Sequence, residues 1–540
     1  MPTAHKECRA ALEKLKGVQS PMLKHQAFLL MGHIHAASGD QEDAYSCFRA
    51  SRHALETLRS NVRGQELKLA FLKNRLEVYE VLVDACLQNP TKASLQEAFG
   101  YIEEAKSRIL MDQMLRSAAD GNEASGQSEV VRRIATLRDE LNWYYSLIEL
   151  EQLRPEPRSP KRLQRLEAQA RARESDLVRV LQEVSSAEAV QAGMRGSENI
   201  ALEKIRESIA PDTLIVEYFQ SGGRILVCLL NRERLEIMPV TVASHIANVL
   251  RLLQFQVSKF RLGSEYAEAF RDSLIQSTKS HLKTLYQELL APVRDRLNAP
   301  HLVIVPHGAL HYVPFHALFD GQQYVIDDHT VSYAPSASVY ALCAKKAVNT
   351  SGPTLLMGVP DELAPFIDDE IAALSAILPS PRTYLGASAT DSVLKNEGPV
   401  SRIVHIATHG NFRQDSPMFS SIRLSNSYLN LYDLYQLRLP AQLVTLSGCA
   451  TGLNVVAAGD ELIGLARGLF QAGAQSLLLS LWNVHDASAA DFMKGFYSRL
   501  QQGLDKAVAV RQAMLEVRDS YPHPYQWAPF ILMGRYDPFS

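Results

Sequence analysis

RIVHIATHG (402–410) and QLVTLSG (442–448) decide the fold of this chain. Each is a continuous apolar, β-branched run that stops at glycine, the pattern of a strand buried on both faces. Runs of the same kind lie on either side: HLVIVPH (301–307), TLLMGV (354–359) and SLLLSLW (476–482). Helical stretches separate them, so the spacing predicts an α/β domain whose sheet is mainly parallel in its centre and covered on both faces. Further upstream, TLIVEYF (213–219), RILVCLL (224–230) and LEIMPV (235–240) predict three more strands. The first two form a hairpin, because Ser221-Gly222-Gly223 supplies the positive φ that a tight turn needs. Amphipathic helices are predicted at 243–259 and 264–291.

Before about residue 205 the hydrophobic period is helical instead. In FLLMGHIHAASGDQEDAYSCFRASRHAL the small residues Gly32, Ala44 and Ser51 fall where two helices pack closely, and Phe48 fills the gap. That spacing resembles a tetratricopeptide repeat, a helix–turn–helix unit of about 34 residues. Ala98, Ile102 and Ala105 repeat the offsets in a more degenerate copy. RSAADGNEASGQSE (116–129) is polar and glycine-containing, hence a loop. A long helix then runs from Val130 to Gln152, the prolines at 155, 157 and 160 forbid its continuation, and a second helix follows. The pair reads as an antiparallel hairpin, its arginines a solvated face balanced by Glu167, Glu174 and Asp176. The expected organisation is multidomain: tetratricopeptide-like repeats over 1–115, a linker and helical hairpin over 116–204, and the α/β domain over 205–540.

The 540 residues exceed one ordinary core. A hydrophobic fraction of 46% with 21% charged residues excludes a wholly disordered chain. The formal net charge of −3 gives nucleic-acid binding no support. No run reaches the roughly 20 apolar residues of a membrane span, and MPTAHKECRAALEKLKG reads as a helix, not a signal peptide. Six scattered cysteines without a C-x-x-C pair fit a reduced, cytoplasmic protein with no zinc site. Phosphate-loop spacing is absent as well, so no cofactor is expected.

In α/β sheets, functional groups collect beyond the carboxyl ends of the strands. RIVHIAT runs into His409-Gly410, and QLVTLSG runs into Cys449, followed by Ala450-Thr451-Gly452. A thiol flanked by small residues is open to a substrate, and an imidazole on a neighbouring strand end serves it as base. The backbone N–H groups of Cys449 and Gly410 would then form an oxyanion hole. The remaining cysteines fall in helix or strand patterns and read as core. His307, His311 and His316 lack the acidic or Cys neighbours of a metal site, and His405 lies four residues before His409 on the same strand.

His409 precedes Cys449 by 40 residues, which fits the general caspase order, though the caspase tetrad around the cysteine is absent. VHIATHGNF (404–412), LSGCATGL (446–453), GDELIGLARGLFQAGAQSLLLSLWNVHD (459–486) and HPYQWAPFILMG (523–534) closely resemble the CHAT family of caspase-like and separase-like cysteine peptidases, often fused to tetratricopeptide repeats. The resemblance covers about residues 205–540 and implies a caspase-type fold with His409 as general base and Cys449 as nucleophile. Relatives commonly carry two acids after the tryptophan, whereas this chain reads Trp482-Asn483-Val484-His485-Asp486. By the same resemblance an acid in this neighbourhood pairs with a substrate arginine: Asp486 matches best, then Asp491. Asp460 and Glu461 open another helix, where capping or solvation accounts for them, and one or both are further candidates to border the cleft. Helix capping accounts for Asp486 equally well. The expectation is a cysteine endopeptidase cutting a protein substrate after a basic residue, gated by a protein partner on the repeats. Defence-type proteolysis is implied by bacterial relatives. The alternative is a non-catalytic repeat scaffold that recruits partners.

Overall fold

The computed structural model describes residues 2–17, 20–61, 76–106, 129–153, 160–188, 200–361, 364–411, 419–448, 460–482, 484 and 486–539. The chain divides into two compact units, Met1–Ala105 with Leu115–Asn199, and Lys106–Met114 with Ile200–Ser540.

The first unit is helical: α1 (Pro2–Leu15), α2 (Pro21–Ser38), α3 (Gln41–Asn61), α4 (Glu77–Gln88), α5 (Lys92–Lys106), α6 (Glu129–Leu153) and α7 (Pro160–Glu188). Gly39 ends α2 at φ 87°, a conformation that glycine adopts without penalty, and turns the chain into α3. The two helices touch where the small residues predict. A Cβ on Gly32 would stand 2.4 Å from the Phe48 ring, so only glycine admits that ring. Ser51 is fully buried and donates its hydroxyl to the His25 carbonyl at 2.9 Å. In α5, Ala98 and Ile102 are buried as the weaker copy requires. Arg52 of α3 grips Glu104 of α5 with two bonds of 2.6 and 2.5 Å, a bidentate geometry that fixes both helices.

Helices α6 and α7 form the expected hairpin, with Leu166, Ala170, Leu177 and Val180 buried. One residue departs from the reading. Glu174 does not face solvent but is buried, and its carboxylate accepts from the Tyr145 hydroxyl at 2.8 Å. Burial of a carboxylate is tolerable there because a donor from the opposite helix meets it.

The second unit carries β1 (Thr213–Ser221), β2 (Arg224–Leu230), β3 (Leu235–Val242), β4 (His301–Val305), β5 (Thr330–Tyr333), β6 (Thr354–Gly358), β7 (Pro381–Leu385) and β8 (Ile403–Ala407). It continues with β9 (Gly410–Asn411), β10 (Ser421–Arg423), β11 (Tyr428–Asn430), β12 (Leu443–Ser447), β13 (Ser476–Ser480) and β14 (Phe530–Gly534). Its helices include α8 (Ala243–Ser258), α9 (Arg271–Leu289), α10 (Ile367–Ile377), α11 (Asp460–Ala472), α12 (Asp486–Gln501) and α13 (Lys506–Ser520). The helix expected at 264–291 is interrupted at Phe270, whose φ of −115° and ψ of 16° leave the helical region.

Among the described residues the main sheet has eleven strands in the order β3-β2-β1-β4-β5-β14-β13-β12-β8-β6-β7. Gly222 and Gly223 both take positive φ, and the β1–β2 hairpin closes there as predicted. Pro239 is accommodated because β3 is an edge strand. The sheet contains two parallel blocks running in opposite directions. Strands β1, β4, β5 and β14 form one, and β13, β12, β8, β6 and β7 the other, with the antiparallel β13–β14 pair as the seam. The carboxyl ends of the two blocks therefore lie at opposite edges of the sheet. A separate small sheet, β11-β10-β9, follows β8 directly.

Candidate functional site

Strands β6, β8 and β12 are neighbours in one parallel block, and their last residues share a level: Gly358 pairs with Ala407, and Ala407 with Ser447. The chain leaves all three at the same edge. From β8 it passes through Thr408 to His409, and from β12 through Gly448 to Cys449. Thr408 N–H donates to the Ser447 carbonyl at 2.9 Å, so the two strand ends stay paired past the sheet. Gly448 lies directly on Thr408, and a Cβ there would come within 1.7 Å of the Thr408 carbonyl oxygen. Glycine before the cysteine is thus a packing requirement of the adjacent strand. Cys449 itself, with 450–459, lies outside the described residues.

His409 is about one-tenth exposed, and its Nε2 lies 2.9 Å from Oδ1 of Asp361, which is equally buried. Asp361 sits three residues beyond the end of β6, and Ala364 N–H also donates to its Oδ1 at 3.0 Å. Arg423 of β10 donates from Nη1 to Asp361 Oδ2 at 2.7 Å. The same arginine's backbone N–H donates to the His409 carbonyl at 3.0 Å, and its carbonyl accepts from the Thr408 hydroxyl at 2.8 Å. Sequence reading missed both residues. The signal for Asp361 was present: TLLMGV is a strand, and the strand-end rule applied to His409 reaches Asp361 by the same step.

Gly410 pairs opposite Ile422 in β9–β10. Because His409 and Arg423 share a ladder bond, the next pair is of the type that exchanges none. The Gly410 N–H therefore points away from β10, on the outer side of β9, the end strand of the small sheet.

Of the acids expected near the substrate, Asp486 is the first residue of α12 and Asp460 the first of α11, the side chains of both lying outside the described residues. Helix α12 starts just past β13, which is parallel to β12, so Asp486 begins its helix at the edge where β8 and β12 end. Asp491 is exposed further along α12 and accepts from the Tyr521 hydroxyl at 3.4 Å. Trp482 is buried, with its indole N–H donating to the Tyr525 carbonyl at 2.9 Å.

Three other histidines, His307, His316 and His405, have structural partners. β4 runs opposite to β8, so the chain that carries His307 and His311 leaves the sheet at the edge away from His409. His307 accepts from Gln220 N–H at 2.9 Å and stacks on Phe219, and burial drives its pKa down to about 3. His316 meets the Tyr333 hydroxyl at 2.9 Å and the Ala528 carbonyl at 3.1 Å, and burial lowers it to about 4. His405 lies beneath the site, fully buried, held by Glu370 of α10 at 2.8 Å and the Tyr497 hydroxyl of α12 at 3.2 Å. Tyr497 also bonds Thr445 of β12 at 2.7 Å, so one network ties β8 and β12 to the helices that cover them. Burial raises the thiol pKa of Cys8, Cys47 and Cys86, and takes Cys343 to about 11. Those thiols stay protonated and unreactive near neutral pH.

Known proteins resemble parts of this chain. Residues 279–535 match the family model described as CHAT domain. Tetratricopeptide repeat protein 28 of Mus musculus is 27% identical over a match covering 47% of this chain and 13% of its own length. The Homo sapiens protein of that name is 26% identical with the same coverage. The chain thus spans about an eighth of the relatives it matches. A chain of the Saccharomyces cerevisiae separase–securin complex superposes with a TM-score of 0.53 at 10% identity, over 93% of this chain and 38% of that one. The likeness is one of fold: a helical region followed by a caspase-like, mainly parallel sheet domain. Residues 279–535 thus match a CHAT domain, and a helical region precedes them in the chain.

Proposed function

We propose that this CHAT domain is an active cysteine endopeptidase in which Cys449 is the nucleophile and His409 the general base. The observation that carries the reading is the shared level of β8 and β12, whose paired ends lead into His409 and Cys449 within two residues of the sheet. The thiol proton passes to the His409 imidazole as sulfur attacks the scissile carbonyl. Negative charge then develops on the carbonyl oxygen, where the Gly410 and Cys449 N–H groups serve as donors. The outward direction of the Gly410 N–H supports that role. Collapse of the tetrahedral species expels the amine, which takes the proton from the imidazolium. Water, deprotonated by His409, hydrolyses the resulting thioester.

Cleavage follows a basic residue, arginine before lysine, with Asp486 in the pocket. A planar guanidinium matches a carboxylate bidentately, and an unpaired acid in a closed cleft would cost a few kcal/mol. The start of α12 at the catalytic edge supports this choice over Asp491, which lies further along the helix. The helical repeats supply a surface for a regulatory protein that gates the peptidase.

The test is a positional peptide library cleaved by the wild type, Cys449→Ala, His409→Ala and Asp486→Ala. Both dyad variants should lose cleavage while keeping their thermal transitions, and Asp486→Ala should lose the arginine preference. Near-normal turnover in either dyad variant refutes the assignment, and cleavage after aspartate by the wild type refutes the basic pocket.

A further inference from the structure

We propose that Asp361 is a positioning residue for His409, making the site a three-strand device in which β6, β8 and β12 each contribute one group. The proposal rests on His409 acting as the base. Its grounds are geometric. The carboxylate lies 2.9 Å from Nε2, is itself about nine-tenths buried, and cannot turn away, because Arg423 holds its second oxygen at 2.7 Å and Ala364 N–H holds the first at 3.0 Å. An ionised carboxylate accepts only, so Nε2 carries the proton and the tautomer is fixed. Proton exchange with the nucleophile and the leaving amine is then confined to Nδ1. When the thiol ionises, the imidazolium forms beside an anion already in place, which favours the thiolate–imidazolium pair over the neutral pair. Arg423 contributes twice: its side chain aims the carboxylate, and its backbone pins the His409 and Thr408 ends of β8. A carboxylate that served only the loop after β6 would need no contact with Nε2.

The experiment follows alkylation of Cys449 by iodoacetamide in the full chain, read by mass spectrometry from acid to mildly alkaline pH. It compares the wild type with Asp361→Asn, Asp361→Glu and His409→Ala. This readout needs no knowledge of the protein substrate. Asp361→Asn should move the acid limb of the rate profile upward by about one pH unit, because loss of the anion weakens the imidazolium and with it the thiolate. At pH values below neutral the rate should fall about tenfold. Asp361→Glu, which keeps the charge, should retain most of the wild-type limb even if its thermal transition falls, a rescue that a structural role would not produce. A wild-type profile in Asp361→Asn, with His409→Ala displaced, overturns the positioning role and leaves the base assignment standing. A wild-type profile in His409→Ala overturns both.

Discussion

Gly448→Ala probes the contact that brings the two strand ends together. The new methyl carbon would sit 1.7 Å from the Thr408 carbonyl oxygen and 2.9 Å from its carbon, both backbone atoms with no rotamer to escape into. Relief requires β8 and β12 to part by more than about 1 Å at their ends. The first bond to suffer is Thr408 N–H to the Ser447 carbonyl, 2.9 Å between residues that are nearly fully buried. A buried donor left unsatisfied costs about 1–3 kcal/mol, and overpacking adds about 1–3 kcal/mol, so a loss of about 2–6 kcal/mol is expected. A displacement of that size also costs about a hundredfold in a reaction that depends on near-contact geometry. The assay pairs thermal denaturation with the rate of Cys449 alkylation. Gly100→Ala is the control, since nothing lies within 4 Å of its added methyl and alanine favours its helix by about 1 kcal/mol. If Gly448→Ala matches the wild type in both readouts, the close approach of β8 and β12 is wrong.

Stability should fall as pH drops below about 6.5, since burial lowers His301 and His307 to about 3, and His316 and His523 to about 4. Their neutral forms are favoured in the fold, so their contribution is present above the unfolded value and is lost as pH falls toward the folded ones. Each contributes up to about 1.4 kcal/mol per pH unit in that window. A thermal midpoint unchanged between neutral and mildly acid buffer would contradict it. Gly32→Ala should destabilise the helical unit by about 1–3 kcal/mol through the Phe48 ring, read by urea unfolding; a neutral result would mean that α2 and α3 do not pack at this point.

Much of this molecule was legible in local sequence. The small residues opposite Phe48 gave the first helical hairpin, because close helix packing demands missing side chains at fixed offsets. The apolar runs at 301–307, 354–359, 402–410, 442–448 and 476–482 gave strands, because a strand buried on both faces admits no polar alternation. His409 and Gly410 emerged from the rule that chemistry gathers at strand ends. Three features needed the tertiary structure. The order β12-β8-β6 is set by hydrogen bonding between segments far apart in the chain, and no local pattern encodes it. Without that order Asp361 was one acid among many; with it, the carboxylate lies against the imidazole and Arg423 completes the group. Glu174 likewise read as a surface charge because its donor, Tyr145, belongs to another helix. The reversal of direction at β13–β14 explains why the histidines that follow β4 stand apart from His409. Periodicity reports which face of an element is buried, whereas strand order and direction depend on which segments pair. The sequence therefore determined the elements and two of the candidate groups, and the pairing of distant strands decided which side chains meet.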